Sequence, residues 1–370
     1  MDKVPVRVDG RFRLGDVLGS GSYGMLFSYH DYWLHVEFDI WTPLAVVYRA
    51  RNIIKDDAVA VKLEPITRSS SVQREYNILK HLEGGVGIPR ALWFGRESTY
   101  HALVLDLLGP SLHSLFLSHS RKFSLDTVIN LGDQLVSRCA GCIMHVQITN
   151  PFPQLSRLEY IHSHSYIHGD IKPQNVVLGL GDLRHTAFII DFGIAKEFWN
   201  MSTSVHIPFR QGQCLTGTPA FVSINNHLGV EPGRRDDLES LMYMLIYFLQ
   251  GSLPWLTSDQ EKLSSASILE HKVNTTIKDL CHGIPVEFAT ILIYTRSLAF
   301  SEDPDYNHLS SLLHILRSTP PAPAACLLDI NQPDVPITHS PPFFGPCVIE
   351  AVPPCPPLCR STRVWVVHLS

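Results

Sequence analysis

The segment His168-Gly169-Asp170-Ile171-Lys172-Pro173-Gln174-Asn175 places a carboxylate, an ammonium and an amide within eight residues. A second carboxylate follows in Asp191-Phe192-Gly193, directly after the apolar run Phe188-Ile189-Ile190. Phosphoryl transfer from ATP needs groups of these kinds: an acceptor for the attacking hydroxyl's proton, oxygen ligands for Mg²⁺, and a cation near the moving phosphate. A turn rich in helix-capping residues would also contain Asp and Asn. It would have no reason to keep all of these groups at this spacing.

Such groups work only if other elements hold them and the nucleotide. Phe12 to Gly24 reads as a strand entering a glycine-rich turn, Leu18-Gly19-Ser20-Gly21-Ser22-Tyr23-Gly24. GxGxxG also opens dinucleotide-binding units, but there a helix must follow at once to receive the pyrophosphate. Here strand-like segments come next, Val46-Val47-Tyr48-Arg49-Ala50 and then Ala58-Val59-Ala60-Val61-Lys62-Leu63. The second carries Lys62, whose ammonium can reach the α- and β-phosphates. An anion must hold that lysine. Glu75, in the helical stretch Gln73 to Lys80, is the favoured partner, with Glu64 on Lys62's own strand and Glu83 at the helix end as competitors.

Composition excludes several classes. With 370 residues, 45% hydrophobic and 18% charged, the chain is globular and long enough for one large two-lobed core with appendages. A net charge of −5 gives no global pull toward nucleic acid or an anionic membrane. The apolar run Leu241 to Leu249 is far shorter than the ~20 residues of a membrane span and reads as a core helix. The N-terminus has no apolar signal region, and the eight cysteines form no dense framework. The expected location is intracellular, in cytoplasm or nucleus. Cys139-Ala140-Gly141-Cys142 lacks the second pair a zinc site needs, and the cluster His162, His164 and His168 is not read as a metal site.

HxDxKxxN followed by DFG is the pattern of protein kinases, and further motifs narrow it. Gly84-Gly85-Val86-Gly87-Ile88-Pro89, Leu107-Leu108-Gly109-Pro110-Ser111-Leu112, Arg121-Lys122-Phe123-Ser124-Leu125, Leu215-Thr216-Gly217-Thr218, Ser223-Ile224-Asn225, Arg234-Arg235-Asp236-Asp237-Leu238-Glu239-Ser240 and Gly251-Ser252-Leu253-Pro254-Trp255 resemble the casein kinase 1 family. The resemblance implies an α+β, bilobal protein kinase fold, with a small β-rich lobe over about 12–108 and a larger helical lobe over about 109–318. It implies a monomeric Ser/Thr kinase that uses ATP and Mg²⁺ on protein substrates. Carried over residue by residue, it makes Asp170 the catalytic base and Lys172 the cation at the γ-phosphate. Asn175 and Asp191 become the metal ligands. Leu18, Gly19, Gly21, Gly24, Val47, Lys62 and Glu75 surround the nucleotide. Leu105 resembles the gatekeeper, and Asp106, Leu107 and Leu108 the hinge that bonds adenine. Asp237 would orient the catalytic loop from a core helix.

Four departures qualify the resemblance. Gly169 replaces the arginine that pairs with a phosphorylated activation loop, which fits a kinase without that switch. The family reads Thr-Gly-Thr-Ala-Arg-Tyr where this chain has Thr216-Gly217-Thr218-Pro219-Ala220-Phe221. The missing arginine, and a thinned basic stretch at Asp259-Gln260-Glu261-Lys262, imply a weakened preference for phospho-primed or acidic substrates. Two insertions, about 25–45 and 136–154, look like translated introns. Val136-Ser137 can be encoded GTG-AGT and Gln154 CAG, Thr149-Asn150 can contain CTAAC, and Gly24-Met25-Leu26 can contain GTATGT. The second insertion falls inside an expected helix, and its prolines Pro151 and Pro153 cannot continue one. Residues 319–370, with Thr319-Pro320-Pro321-Ala322-Pro323, read as a Pro-rich tail without a packed core. The rival reading is a non-catalytic pseudokinase or scaffold, or a misannotated gene product, disabled by the insertions. A small-molecule kinase is disfavoured by the Ser223-Ile224-Asn225 and Arg234 to Asp237 segments.

Overall fold

A computed structural model describes residues 6–21, 45–66, 70–97, 99–136, 155–256 and 263–317. Gly24, residues 25–44 and 137–154, Cys139 and Cys142, the Asp259 to Lys262 stretch and the 319–370 tail lie outside the described residues. The N-terminal part is a six-stranded antiparallel sheet of β1 (Arg7–Val8), β2 (Phe12–Gly21), β3 (Ala45–Asn52), β4 (Asp57–Pro65), β5 (Ala91–Glu97) and β6 (Tyr100–Asp106), in the order β1-β2-β3-β4-β6-β5. β2 runs on as a strand through Gly19 to Gly21 and pairs with β3, with register shifts between Leu14 and Gly19. Among the described residues, the element that comes next after these glycines is the strand β3. Ala45, counted above with the first insertion, is the first residue of β3 and pairs with Gly21.

Alternation along β4 sorts its side chains. Val59, Val61 and Leu63 join Phe12, Ala50, Ala102 and Val104 in one small apolar core. Ala60, Lys62 and Glu64 point the other way. Among the described residues the helix of this lobe is α1 (Ser71–His81), N-capped by Ser70, whose hydroxyl accepts from the Gln73 N–H. Glu64 adds to that cap: its carboxylate accepts from the Ser71 and Val72 N–H groups at 3.3 Å each and from both serine hydroxyls. Negative charge at a helix N-terminus is favourable. Glu64 thus fixes where α1 begins.

The C-terminal part is mainly helical: α2 (Leu112–Ser118), α3 (Leu125–Val136), α4 (Arg157–Ser163), α5 (Ile224–His227), α6 (Arg234–Gln250), α7 (Ser265–Asn274), α8 (Ile277–Leu280), α9 (Val286–Ser297) and α10 (Tyr306–Ile315). Short strand pairs join β7 (Tyr166–Ile167) to β10 (Lys196–Glu197), β8 (Val176–Leu178) to β9 (Ala187–Ile189), and β11 (Trp199–Asn200) to β12 (Val205–His206). The expected core helix around Leu241 to Leu249 is α6, buried on every side from Asp236 to Leu249. It stops at Gly251, whose φ of +88° is the left-handed geometry that glycine adopts without strain.

The helix expected on both sides of 136–154 is not continuous at Ser156. α3 ends at Val136 and α4 starts afresh after Ser156, whose hydroxyl accepts from the Glu159 N–H. Ser156-Arg157-Leu158-Glu159 has the S-x-x-E spacing of a helix start. Ser156 is thus a helix cap, worth about 1 kcal/mol.

Candidate active site

His168 to Asn175 link β7 to β8. Asp170, 2% exposed, is held on both carboxylate oxygens. Oδ1 accepts from the Thr218 N–H and from the Thr218 hydroxyl, both at 2.8 Å. Oδ2 accepts from Asn175 Nδ2 at 2.8 Å and pairs with Lys172 Nζ at 2.7 Å. Lys172 also donates to Thr218 Oγ1 at 2.8 Å. Burial raises the Asp170 pKa above the usual carboxylate value, against the pull of Lys172 and Thr218. A carboxylate made more basic in this way is better suited to take a proton.

Asp237, in the first turn of α6 and 1% exposed, positions the loop through its backbone. It accepts from the His168 N–H at 2.7 Å, the Gly169 N–H at 2.8 Å and His162 Nε2 at 3.0 Å. Burial raises its carboxyl pKa, but His162 and these donors outweigh that and hold it low. His162 is bonded through Nδ1 to the Tyr306 hydroxyl, so α4, α6 and α10 meet at the loop. His168 donates from Nε2 to the Ile190 carbonyl at 3.0 Å, and its Nδ1 accepts from the Asp170 N–H at 3.2 Å. Those two bonds define a neutral tautomer, and burial lowers the ring's pKa accordingly.

Lys62 donates to Glu75 Oε2 and to Asp191 Oδ1, each at 2.8 Å. Burial pulls the ammonium pKa down, but Asp191 and Glu75 more than reverse this and hold it above the ordinary lysine value. Asp191 is likewise pushed up by burial and brought below its ordinary value by Lys62. The other oxygen of Glu75, Oε1, accepts from the Phe192 N–H at 3.1 Å. One buried glutamate therefore ties α1 to Lys62 and to the Asp191-Phe192-Gly193 turn. Phe192 is fully buried and meets His168 edge-to-face at 4.9 Å. Asp191 has φ +68°, a strained backbone that Asp tolerates better than most residues. Of the two competitors, Glu64 caps α1 and Glu83 pairs with Lys80.

The residues expected at the nucleotide, Gly24 apart, lie on β2, β3, β4 and α1 and at and after the end of β6. Val47 pairs with Lys62 across β3 and β4, and with Gly19 across β2 and β3. Leu18 is exposed, and the space above Gly19 is open. β6 ends at Asp106, whose carboxylate is gripped by Arg90 through the backbone N–H at 2.9 Å and Nη2 at 2.8 Å. Leu105 packs on the main core, while Leu107 and Leu108, both half-buried, lead out of β6. Gly109 then donates to the Leu178 carbonyl at 2.8 Å, tying this connection to β8. The oxygen-rich set Asn175 and Asp191 fits a hard cation such as Mg²⁺. Asn175 commits its Nδ2 to Asp170, which separates that role from its carbonyl oxygen.

The residues expected from sequence omit Thr218, although it touches both Asp170 and Lys172. Its signal is the Thr216-Gly217-Thr218 run: Gly217 has φ +85°, and a Cβ there would lie 2.6 Å from the Gly169 carbonyl. Residues 43–289 match the family model of the protein kinase domain. The match covers more than half of the chain and includes Lys62, Glu75, Asp170, Asn175 and Asp191, while the glycines before residue 25 lie outside it.

Proposed function

The chain belongs to the protein kinase domain family, and we propose that it is an active Ser/Thr kinase of the casein kinase 1 type that moves the γ-phosphate of ATP to hydroxyls of protein substrates. The observation that carries this reading is the joint engagement of Lys62 by Glu75 and Asp191, with Asp170 held by Asn175, Lys172 and Thr218. Asp170 would receive the acceptor hydroxyl's proton. Lys172, already within reach of Asp170 and Thr218, would offset charge on the transferred phosphoryl group. Lys62 would hold the α- and β-phosphates. Leu18, Gly19, Gly21, Gly24 and Val47 would cover the nucleotide, and the backbone of Asp106 and Leu108 would bond adenine. Asn175 and Asp191 would hold Mg²⁺, which when bound neutralises phosphate charge.

The same contacts favour an enzyme over a pseudokinase disabled by insertions, because no member of the set is displaced. Pro219 and Ala220 bring no cation to the substrate path, which supports a weakened preference for phospho-primed or acidic sequences. No described helix is long and apolar enough to cross a membrane. A monomer acting on cytoplasmic or nuclear proteins is the simplest form of this reading. The test is incubation of the purified chain with Mg-ATP and an acidic protein substrate, followed by phosphoamino-acid analysis. Phosphoserine and phosphothreonine are expected. Phosphotyrosine alone, or no incorporation, contradicts the reading.

A further inference from the structure

Lys272 lies on α7 with 1% of its surface exposed. Burying an ammonium costs several kcal/mol, and an apolar side chain would fill the space more cheaply. What the lysine does there is specific. Its Nζ donates to the carbonyls of Pro219 at 2.8 Å and Val222 at 2.5 Å. It also stands over the rings of Tyr243 and Trp255, at 4.7 and 5.3 Å from their centroids. Two further donors reach the same loop from below. Trp255 Nε1 donates to the Ala220 carbonyl at 2.8 Å, and His227 Nε2 to the Pro219 carbonyl at 2.9 Å. With its Nε2 proton committed to Pro219, His227 has no acceptor there for Lys272, 3.3 Å away. Both groups converge on the Pro219 oxygen.

The loop they hold begins at Thr218, which is bonded to Asp170 and Lys172. One end of the loop is therefore pinned by the reacting groups and the rest by α5, α7 and Trp255. We infer that Lys272 is a positioning residue for the polypeptide substrate: it sets the height of Pro219–Val222, along which the acceptor segment must pass to bring its hydroxyl to Asp170. The inference rests on the phosphotransfer reading above. It concerns the peptide alone, since Lys272 touches neither the Lys62 pair nor the Asp170 cluster. Water as the phosphoryl acceptor needs no such surface.

The test compares wild type, Lys272→Met and Trp255→Phe, the last deleting the Ala220 bond and shrinking the ring beside Lys272. For each, an unprimed serine peptide is titrated for KM and kcat, and ATP hydrolysis without peptide is measured alongside. Lys272→Met is expected to raise the peptide KM roughly tenfold or more, Trp255→Phe roughly threefold, the scale of losing one or two buried hydrogen bonds. The KM for ATP and the hydrolysis rate should stay within about twofold, as uniform loss of substrate binding requires. If Lys272→Met does not fold, Trp255→Phe decides alone. Unchanged peptide KM in the folded variants, or a parallel fall in peptide-free hydrolysis, overturns the inference. A wild type inert toward ATP overturns the phosphotransfer reading, and this inference with it.

Discussion

Arg157 and Gln134 stitch the broken helix together: Arg157 Nη1 donates to the Gln134 carbonyl and Nη2 to its side-chain Oε1, both at 3.1 Å. With residues 136–154 removed these two would be four apart, the spacing of neighbours on one helix face. The guanidinium thus bonds a carbonyl of α3 and also donates from Nε to the Ala187 carbonyl at 3.2 Å. Gln134 in turn accepts from the Ala187 N–H at 2.8 Å and donates to the His185 carbonyl at 3.0 Å. The cluster joins α3, α4 and β9, and through α4 it reaches His162 and Asp237.

Arg157→Ala should therefore destabilise the fold by about 1–3 kcal/mol, the range for a buried charged donor whose partners are left unmet. Urea denaturation reads this as a lower midpoint at constant slope. An unchanged midpoint would mean that the helix break is held by other contacts.

We propose that the segment 136–154 is an addition to the fold, apart from Val136, which is the buried last residue of α3 and part of the main core. Deleting the segment places Leu135 before Leu155 and restores a continuous helical sequence, with Leu155 taking the buried place of Val136. The deletion variant is expected to melt at the same temperature as the full chain or above it. A variant that melts lower, or fails to fold, shows that the segment contributes contacts of its own.

Gly169 has φ +79°, while a Cβ there would meet only Ile194, at 3.8 Å. The space is adequate and the backbone is not, so a side chain costs about 1–2 kcal/mol of left-handed strain. Gly169→Arg should lower stability by that amount and leave peptide phosphorylation within a few-fold of wild type. Gly217 differs, because its Cβ would collide with the Gly169 carbonyl at 2.6 Å and Val222 at 2.7 Å. Gly217→Ala should displace Thr218 and cost at least tenfold in kcat/KM. Equal behaviour of the two variants argues against Thr218 as a partner of Asp170.

His227 is kept neutral: burial, then Lys272, lowers its pKa to about 4 against the opposing Pro219 carbonyl. In the unfolded chain an imidazole titrates near 6.5. Between those values the unfolded chain binds a proton that the folded chain does not, so stability falls as pH drops from about 6.5 through about 4. His227→Gln retains an N–H donor without the titration and should flatten this part of the curve of unfolding midpoint against pH. A curve identical to wild type would remove His227 from the account of the loop.

The residues that carry specialised chemistry are legible in the sequence because few alternatives exist for them. Lys62, Asp170, Asn175 and Asp191 sit at spacings that chance would rarely produce; Lys62 is bonded to Asp191, and Asn175 to Asp170. The choice of Glu75 over Glu64 followed from helix against strand placement, and the bonds to Lys62 and Phe192 agree with it. Other features are set by proximity in space and leave little local trace. Glu64 caps a helix that starts seven residues later, and Arg157 bonds back to Gln134 on the preceding helix. Lys272 stands far from Pro219 in the chain, and nothing in its local sequence marks it as buried. Close approach is readable only where glycine demands it. Gly85, whose Cβ would lie 2.2 Å from the Tyr160 ring, records the packing of the loop after α1 against α4.

The central claim is that Asp170 accepts the proton of a protein hydroxyl while Lys62, Glu75 and Asp191 hold the nucleotide machinery around it. Asp170→Asn removes the base and keeps the shape, so nucleotide affinity should survive. The direct measurement is the rate of γ-phosphate transfer from Mg-ATP to an acidic protein substrate by wild type and Asp170→Asn, with ATP affinity measured in parallel. The expected result is a fall of roughly 10²–10⁴-fold in rate for the variant, the range for losing a general base, with ATP affinity within a few-fold. Equal transfer rates from the two proteins would contradict the assignment of Asp170.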